Sequence, residues 1–342
     1  MNFKNKKKLR KKTWILACHI NEIKNKNDYK TLDFYDLPVI IYNINNEHFS
    51  YVNVCPHRGS KIKIKKYGNE VFNCIYHGWT YSKDGNLISG TKIKEAFTKI
   101  QIKNIKLKKI KLQKCGSFLF ITHSSNKESL EKYLGGHYEE LKEISKKFGN
   151  LISFKTYSWN CNWQVAVENS IDEYHGPILH QNTFKRILVL DPKYSYSKKV
   201  SEMNMPLDKQ YINWFEKISS NKSYPLDTKY RHYFIFPIST VATTLGLFCY
   251  IQRYIPIDSN NSRIETDIFI KKIDTKKNKI SNNFLKDQAT KFNDEVFNED
   301  KEVCENLDKN LNQKLRFSVL GKYEERINFF RNLLTKFKIE QK

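Results

Sequence analysis

Cys55-Pro56-His57-Arg58-Gly59 and, after sixteen residues intervening from His57, Cys74-Ile75-Tyr76-His77-Gly78-Trp79 are the two stretches that decide how this chain is read. Each offers one thiolate and one imidazole, as Cys-x-His in the first and Cys-x2-His in the second. Two such loops brought together place two sulfurs on one iron and two nitrogens on the other iron of a [2Fe-2S] cluster. Gly59 and Gly78 let the loops turn tightly. Two Cys and two His also satisfy tetrahedral zinc. Zinc modules usually pair like with like, Cys-x2-Cys followed by His-x3-His, so the mixed order favours iron and sulfur, with zinc as the alternative.

The surroundings of these loops read as β-structure. Val39 to Val54 is rich in Val, Ile and Tyr around Asn45-Asn46-Glu47, Asp84-Gly85 marks a turn, and Cys115 to Ile121 is a further strand. Residues 13–125 are therefore expected to form an all-β domain. After Asn126 the period changes: Leu130, Tyr133, Leu134, Tyr138 and Leu141 are spaced for a helix. The second domain, 126–342, reads as α+β, with a strand-rich middle at 230–271 and helices at 284–311 and 319–338. Tyr233 to Ile251 lacks charge and is about as long as a membrane span. Its β-branched and aromatic residues, broken by Pro237 and Gly246, predict buried strands joined by a tight turn instead. Lys272 to Asn283 is polar enough for an exposed loop.

Acidic and imidazole groups concentrate between Asn162 and His180. Read as one helix up to Gly176, this segment puts Glu168, Asp172 and His175 on one face, at i, i+4 and i+7, with Glu173 pointing elsewhere. Gly176-Pro177 should disturb the helix and bring His180 in from another direction, so that the two imidazoles converge. Two His and one carboxylate on one face of Fe(II) leave positions open for O2. Asp172 is one candidate carboxylate. A second lies on a later helix, where Phe292, Val296, Val303, Leu307 and Leu311 form an apolar stripe that Asp300 interrupts. Glu299 falls roughly 20° beyond that stripe's edge and is expected to lean toward solvent. A buried Asp300 needs a partner, which a metal ion or a salt bridge supplies.

Cys-Pro-His-Arg-Gly and Tyr-His-Gly-Trp resemble the Rieske domain of the ring-hydroxylating oxygenase family. Asp172-x2-His175-x4-His180 and the looser segment Glu299 to Glu305 resemble its catalytic domain, in the family's order. Ser60 and Tyr76 stand where respiratory Rieske proteins carry a disulfide, which favours the oxygenase branch. The resemblance implies a Rieske β domain followed by a helix-grip (START-like) domain with an antiparallel sheet. It also implies a [2Fe-2S] cluster on Cys55, His57, Cys74 and His77, and a mononuclear Fe(II) on His175, His180 and Asp300. Asn169, one turn before Asp172, reads either as a weak outer contact to that iron or as a helix-packing residue. Asp172 becomes the electron bridge between His175 and a cluster histidine of the adjacent subunit in a homotrimer. The implied activity is hydroxylation, dihydroxylation or oxidative demethylation with O2 as co-substrate. Choline, betaine or carnitine-like amines are the first substrates to consider and aromatic acids the second. No Gly-x-Gly-x2-Gly fingerprint or plant-type ferredoxin cysteines occur, so electrons from NAD(P)H would arrive through a separate flavin reductase or ferredoxin. A carrier that keeps the cluster but turns nothing over is the alternative, against which the second set of ligands argues.

Composition fits this reading. The formal net charge of +24 reflects heavy Lys use alongside Asn, Ile, Tyr and Phe, so nucleic-acid binding is not expected, while an acidic electron donor is compatible with it. Seven widely spaced cysteines lack a disulfide-scaffold pattern, and the basic segment before Thr13 to His19 lacks a signal-peptide core. A cytoplasmic protein with no membrane span is expected.

Overall fold

The computed structural model describes residues 3–218, 227–271, 279–312 and 319–339. It divides into a compact unit spanning Lys6–Leu130 and a second built mainly from the residues from Glu131 onward. Basic helix α1 (Phe3–Lys12) leads into the strands of the first unit: β1 (Ile15–His19), β2 (Asp28–Asp33), β3 (Pro38–Ile44), β4 (Glu47–Val52), β5 (Tyr67–Asn69), β6 (Thr80–Tyr81), β7 (Leu87–Ser89), β8 (Lys111–Cys115) and β9 (Phe118–Thr122). They form antiparallel sheets in the order β4-β3-β2-β5 and β1-β9-β8, with β6 and β7 as a separate hairpin. Asn45 and Asn46, at φ of 55° and 67°, make the turn between β3 and β4, a conformation Asn tolerates better than most residues.

Two short helices, α2 (Ile93–Ala96) and α3 (Lys99–Asn104), interrupt the predicted all-β domain. The signal for α3 was present in Thr98-x2-Gln101. The Thr98 side chain accepts from the Gln101 N–H at 3.2 Å, and the Gln101 side chain accepts from the Thr98 N–H at 2.9 Å.

The second unit continues with α4 (Leu130–Leu134), α5 (Tyr138–Lys147), β10 (Phe148–Trp159), α6 (Trp163–Ser170), α7 (Gly176–Leu179), β11 (Lys193–Tyr196), β12 (Val200–Pro206) and α8 (Lys209–Ile218). Then follow β13 (Lys229–Ile235), β14 (Ser239–Thr244), β15 (Phe248–Pro256), β16 (Ser262–Lys271), α9 (Lys279–Asn312) and α10 (Glu325–Lys336). Seven strands form one antiparallel sheet in the order β10-β16-β15-β14-β13-β12-β11. The uncharged run becomes the end of β13, all of β14 and the start of β15, and every residue of β14 is buried. Helix α9, 34 residues long, lies against β10 and α6, as a helix-grip domain requires. Of the predicted loop at Lys272 to Asn283, residues 272–278 lie outside the described set and the rest already belong to α9. Among the described residues no helix is long and apolar enough to cross a membrane.

Candidate metal centres

The two Cys/His loops of the first unit close in the same way. Cys55 and Cys74 each accept a hydrogen bond at 3.0 Å on their carbonyl from a glycine four residues on, Gly59 and Gly78. Each cysteine N–H donates at 2.8 Å to the carbonyl of the next residue, Ser60 or Trp79. Those glycines sit at φ of 76° and 67°, a left-handed conformation that a residue with a Cβ adopts only at a cost. The thiols point into an apolar core with Tyr29, Ile40, Tyr51 and Phe72, while His57 and His77 stay at the rim, ring centroids 4.7 Å apart. Trp79 stacks on His57 at 4.3 Å.

Two neighbouring buried thiols facing two imidazoles suit a [2Fe-2S] cluster, and His57 Nδ1 is buried with no hydrogen-bond partner. Burial and the neighbouring Cys74 push the Cys55 thiol up, against hydrogen bonds that favour the thiolate. Tyr81 Oη lies 3.0 Å from Cys55 Sγ, and the Tyr76 N–H points at Cys74 Sγ from 3.5 Å. Donors to cluster sulfurs favour the reduced, more negative state. Tyr81→Phe is expected to lower the cluster's reduction potential by some tens of millivolts while leaving its absorption spectrum in place. A redox titration followed in the visible checks this, and an unchanged potential would contradict it.

In the second unit the local fold departs from one long helix. Asn162 caps α6, accepting the Gln164 N–H at 2.9 Å, but α6 ends at Ser170, because Ile171 turns to φ −115° and ψ 14°. Asp172 Oδ1 then accepts the Tyr174 N–H at 2.7 Å, an Asx-type turn. Glu168, expected on the face of Asp172 and His175, turns to Arg331, whose Nε and Nη2 donate to its two oxygens at 2.8 and 2.7 Å. Pro177 starts α7 instead of breaking a helix, since a first-turn residue needs no N–H acceptor. His175 and His180 are the two caps of this four-residue helix, and their rings converge, with Nε2 atoms 3.1 Å apart.

Asp300, 8 % exposed on α9, brings Oδ1 to 3.1 Å from His180 Nε2 and 3.6 Å from His175 Nε2. Ligands about 2.1 Å from an ion and at right angles to each other stand about 3.0 Å apart, so the three atoms suit one face of an octahedral metal. Asp300 Oδ1 is buried and, despite these distances, makes no well-aligned hydrogen bond. Burial opposes a charge on His175, yet Asp172 and Asp300 outweigh it and push its pKa up to about 10. Burial likewise raises Asp300, but His175 and His180 hold it down at about 2. Asp172 and Asp300 thus favour positive charge here, at the place a divalent cation would take. Asn169 lines the cavity that borders these three residues, from the last turn of α6.

Glu299 does not lean toward solvent. Its Oε2 lies 2.7 Å from His180 Nδ1 and also accepts from Thr183 Oγ1 at 3.2 Å. Asp172 Oδ2 is 3.2 Å from His175 Nδ1, off the ideal N–H direction. A second His/Glu group, His137, Glu140 and Glu202, comes close enough to hold an ion. Its polar atoms are already engaged: His137 contacts Ser195 and Ser197 at 2.8 and 3.0 Å, and Glu202 accepts from Ser195 at 2.7 Å.

The triad opens on a cavity of about 100 Å³ walled by Phe184, Met203, Tyr230, Tyr254 and Val296. Phe184 and Tyr230 also wall a smaller space that shares Tyr250 and Phe292 with an outer chamber of about 470 Å³, where Tyr211, Trp214 and Phe248 lie.

Cys/His loops on a β domain, followed by a His/His/Asp face in a helix-grip domain, define the class of Rieske non-haem iron proteins. Residues 13–107 match the Rieske [2Fe-2S] domain and residues 148–337 the ring hydroxylating alpha subunit (catalytic domain). The chain belongs to the ring-hydroxylating alpha-subunit family, whose cofactors are the Rieske cluster and a mononuclear iron. It is 30% identical over 179 residues to the anthranilate 1,2-dioxygenase large subunit of Acinetobacter baylyi, covering 50% of this chain and 38% of that protein. It is 26% identical over 271 residues to the carnitine monooxygenase oxygenase subunit of Acinetobacter baumannii, covering 75% of this chain and 69% of that protein. The matched stretch spans less than half the length of the aromatic dioxygenase subunits. In fold, it matches the structure of a quaternary ammonium Rieske monooxygenase described for carnitine oxidation and inter-subunit electron transfer. The TM-score is 0.81 at 21% identity, over 98% of this chain and 92% of that one.

Proposed function

We propose that the chain is the terminal oxygenase of a Rieske system, oxidising a small organic substrate with O2 and electrons supplied through a ferredoxin or flavin reductase by NAD(P)H. The convergence of His175, His180 and Asp300 on a cavity whose other walls include Phe184, Met203, Tyr230 and Val296 carries this reading. A pure electron carrier has no use for such a face. Iron held there supplies O2 binding and redox chemistry. Cys55, His57, Cys74 and His77 would hold the cluster.

Asp172 suits a bridge better than a ligand. It approaches His175 at Nδ1, while Nε2 of the same ring faces His180 and Asp300. Around it Tyr174 and Ile178 are exposed at 62% and 75%, and beside His77 Ile75 and Tyr76 are exposed at 51% and 58%. Such apolar surfaces suit burial between copies of the chain, and the inter-subunit transfer described for the carnitine enzyme supports a ring in which His77 of one subunit meets Asp172 of the next.

The aromatic walls around Phe184, Tyr230 and Phe292 suit a quaternary ammonium group. Among the described residues lining the two inner cavities there is no Lys or Arg to receive a carboxylate. Aromatic acids are the second reading, with Arg186 and Lys291 of the outer chamber available to them. O2 uptake by the reconstituted system is expected with trimethylammonium substrates and to be at least about tenfold slower with benzoate-type acids. The reverse order would favour the second reading, and no uptake with either class would remove both.

A further inference from the structure

We infer that Glu299 is a positioning residue that fixes the tautomer of His180, an inference resting on the mononuclear metal site proposed above. An imidazole binds a metal only through a nitrogen that carries no proton, and which nitrogen that is depends on what the other one touches. His180 Nδ1 faces the Glu299 carboxylate oxygen at 2.7 Å. That oxygen only accepts, so Nδ1 carries the proton and Nε2 presents its lone pair toward Asp300 and His175.

The carboxylate is itself held. Thr183, 1% exposed, donates to the same Oε2 at 3.2 Å, and the Thr183 N–H donates to the His180 carbonyl at 3.2 Å. Glu299 and Asp300 are consecutive on α9, yet they grip one ring from its two ends, Glu299 at Nδ1 and Asp300 at Nε2. His175 has its own outer carboxylate in Asp172, so the two rings are oriented independently. If Asp172 is committed to passing electrons between subunits, Glu299 is the carboxylate whose role is confined to holding the metal face.

Glu299→Gln is the discriminating variant. It keeps the side chain's size, but its amide can donate to a bare Nδ1 and so stabilise the tautomer whose Nε2 carries the proton and cannot bind metal. Co(II) titrated into protein that retains its cluster but lacks the mononuclear metal reads the site by absorption and by paramagnetic proton NMR. Wild type is expected to show an exchangeable, contact-shifted imidazole N–H resonance from His180, protected from rapid exchange because His180 is 1% exposed. Glu299→Gln is expected to weaken Co(II) binding about 10- to 100-fold and to lose or shift that resonance. Thr183→Val is expected to act in the same direction with a smaller effect. Wild-type affinity together with an unshifted His180 resonance in both Glu299→Gln and Glu299→Leu, the latter having no acceptor for the Nδ1 proton, would overturn the inference, provided Asp300→Ala no longer binds Co(II). If Asp300→Ala binds Co(II) as well as wild type does, the metal site itself is wrong and the role of Glu299 falls with it.

Discussion

Asp172→Ala is expected to keep both metal sites filled and still to lose at least about 100-fold in turnover, the upper end of what loss of an outer partner to a metal-ligating histidine costs. The carboxylate does not face the His175 nitrogen that points at Asp300, so its removal leaves the three-atom face intact. What disappears is the polar connection from His175 Nδ1 to the surface, on which Tyr174 and Ile178 are exposed. In single-turnover experiments the cluster of the variant should reduce normally and then fail to reoxidise when substrate and O2 are added. Wild-type reoxidation kinetics would remove Asp172 from the path.

The same variant tests whether electrons cross between subunits. On the proposed assignment Cys55→Ser is expected to lose the cluster, and Asp172→Ala to lose electron transfer to its own iron. Separately purified, each should be inactive. Co-assembled, a Cys55→Ser chain still offers a complete Asp172–His175 path to the intact cluster of an Asp172→Ala neighbour, so mixed oligomers should recover a substantial share of activity. If both steps occur within one chain, no mixture can recover it.

The parts legible in the sequence were those whose chemistry constrains spacing. Two Cys/His loops need glycines that turn and a fixed interval between donors, and the alternation of Val39 to Val54 needs only a period of two. The boundaries in the second unit were harder. Nothing between Trp163 and His175 breaks helical periodicity, since Ser170 and Asp172 act through side-chain hydrogen bonds that a wheel projection ignores. Ser170 Oγ returns to the Val167 carbonyl at 2.8 Å, and Asp172 takes the Tyr174 N–H. The two histidines converge across a short helix whose first turn holds Pro177, not beyond a longer helix that Pro177 breaks. Glu299 was lost for a related reason. A 100° step places its Cα at the stripe's edge, but a glutamate reaches well beyond its own Cα, and His180 sits beside that edge. A second acid next to an inward Asp was the available signal, because metal-bound histidines so often have a carboxylate behind them.

The largest effect on stability is expected at Arg326, which lies about 150 residues from the Asp172 turn in sequence but supports it in space. Arg326 is 0% exposed, and its Nη1 donates to Glu173 Oε1 at 2.6 Å and lies 3.0 Å from His232 Nδ1, while Nε donates to Ser201 Oγ at 3.1 Å. Glu173 also accepts from Tyr194 at 3.1 Å, and its N–H donates to the Tyr323 carbonyl at 3.3 Å. Burial nevertheless pushes Glu173 up to about 7, the Arg326 charge notwithstanding. Arg326→Met leaves this carboxyl buried without its cation, and breaking one side of a buried pair costs about 3–5 kcal/mol. For a unit of this size that lowers Tm by roughly 6–20 °C. The pH dependence has a definite sign. A folded-state pKa above the unfolded value near 4.5 means the native state binds the Glu173 proton more tightly, so this group's contribution is fully present below pH about 4.5 and is lost as pH rises through about 7. Without Arg326 the folded pKa rises further, so the deficit of the variant should widen between pH 5 and pH 8. Replacing both partners, as Arg326→Met with Glu173→Leu, should recover most of the lost stability, because no charge is then left unpaired. The double variant should still turn over poorly, since the segment that sets Asp172 against His175 has lost its anchor. Melting curves at the two pH values test the ion pair, and equal losses at both would show that Glu173 does not carry the penalty.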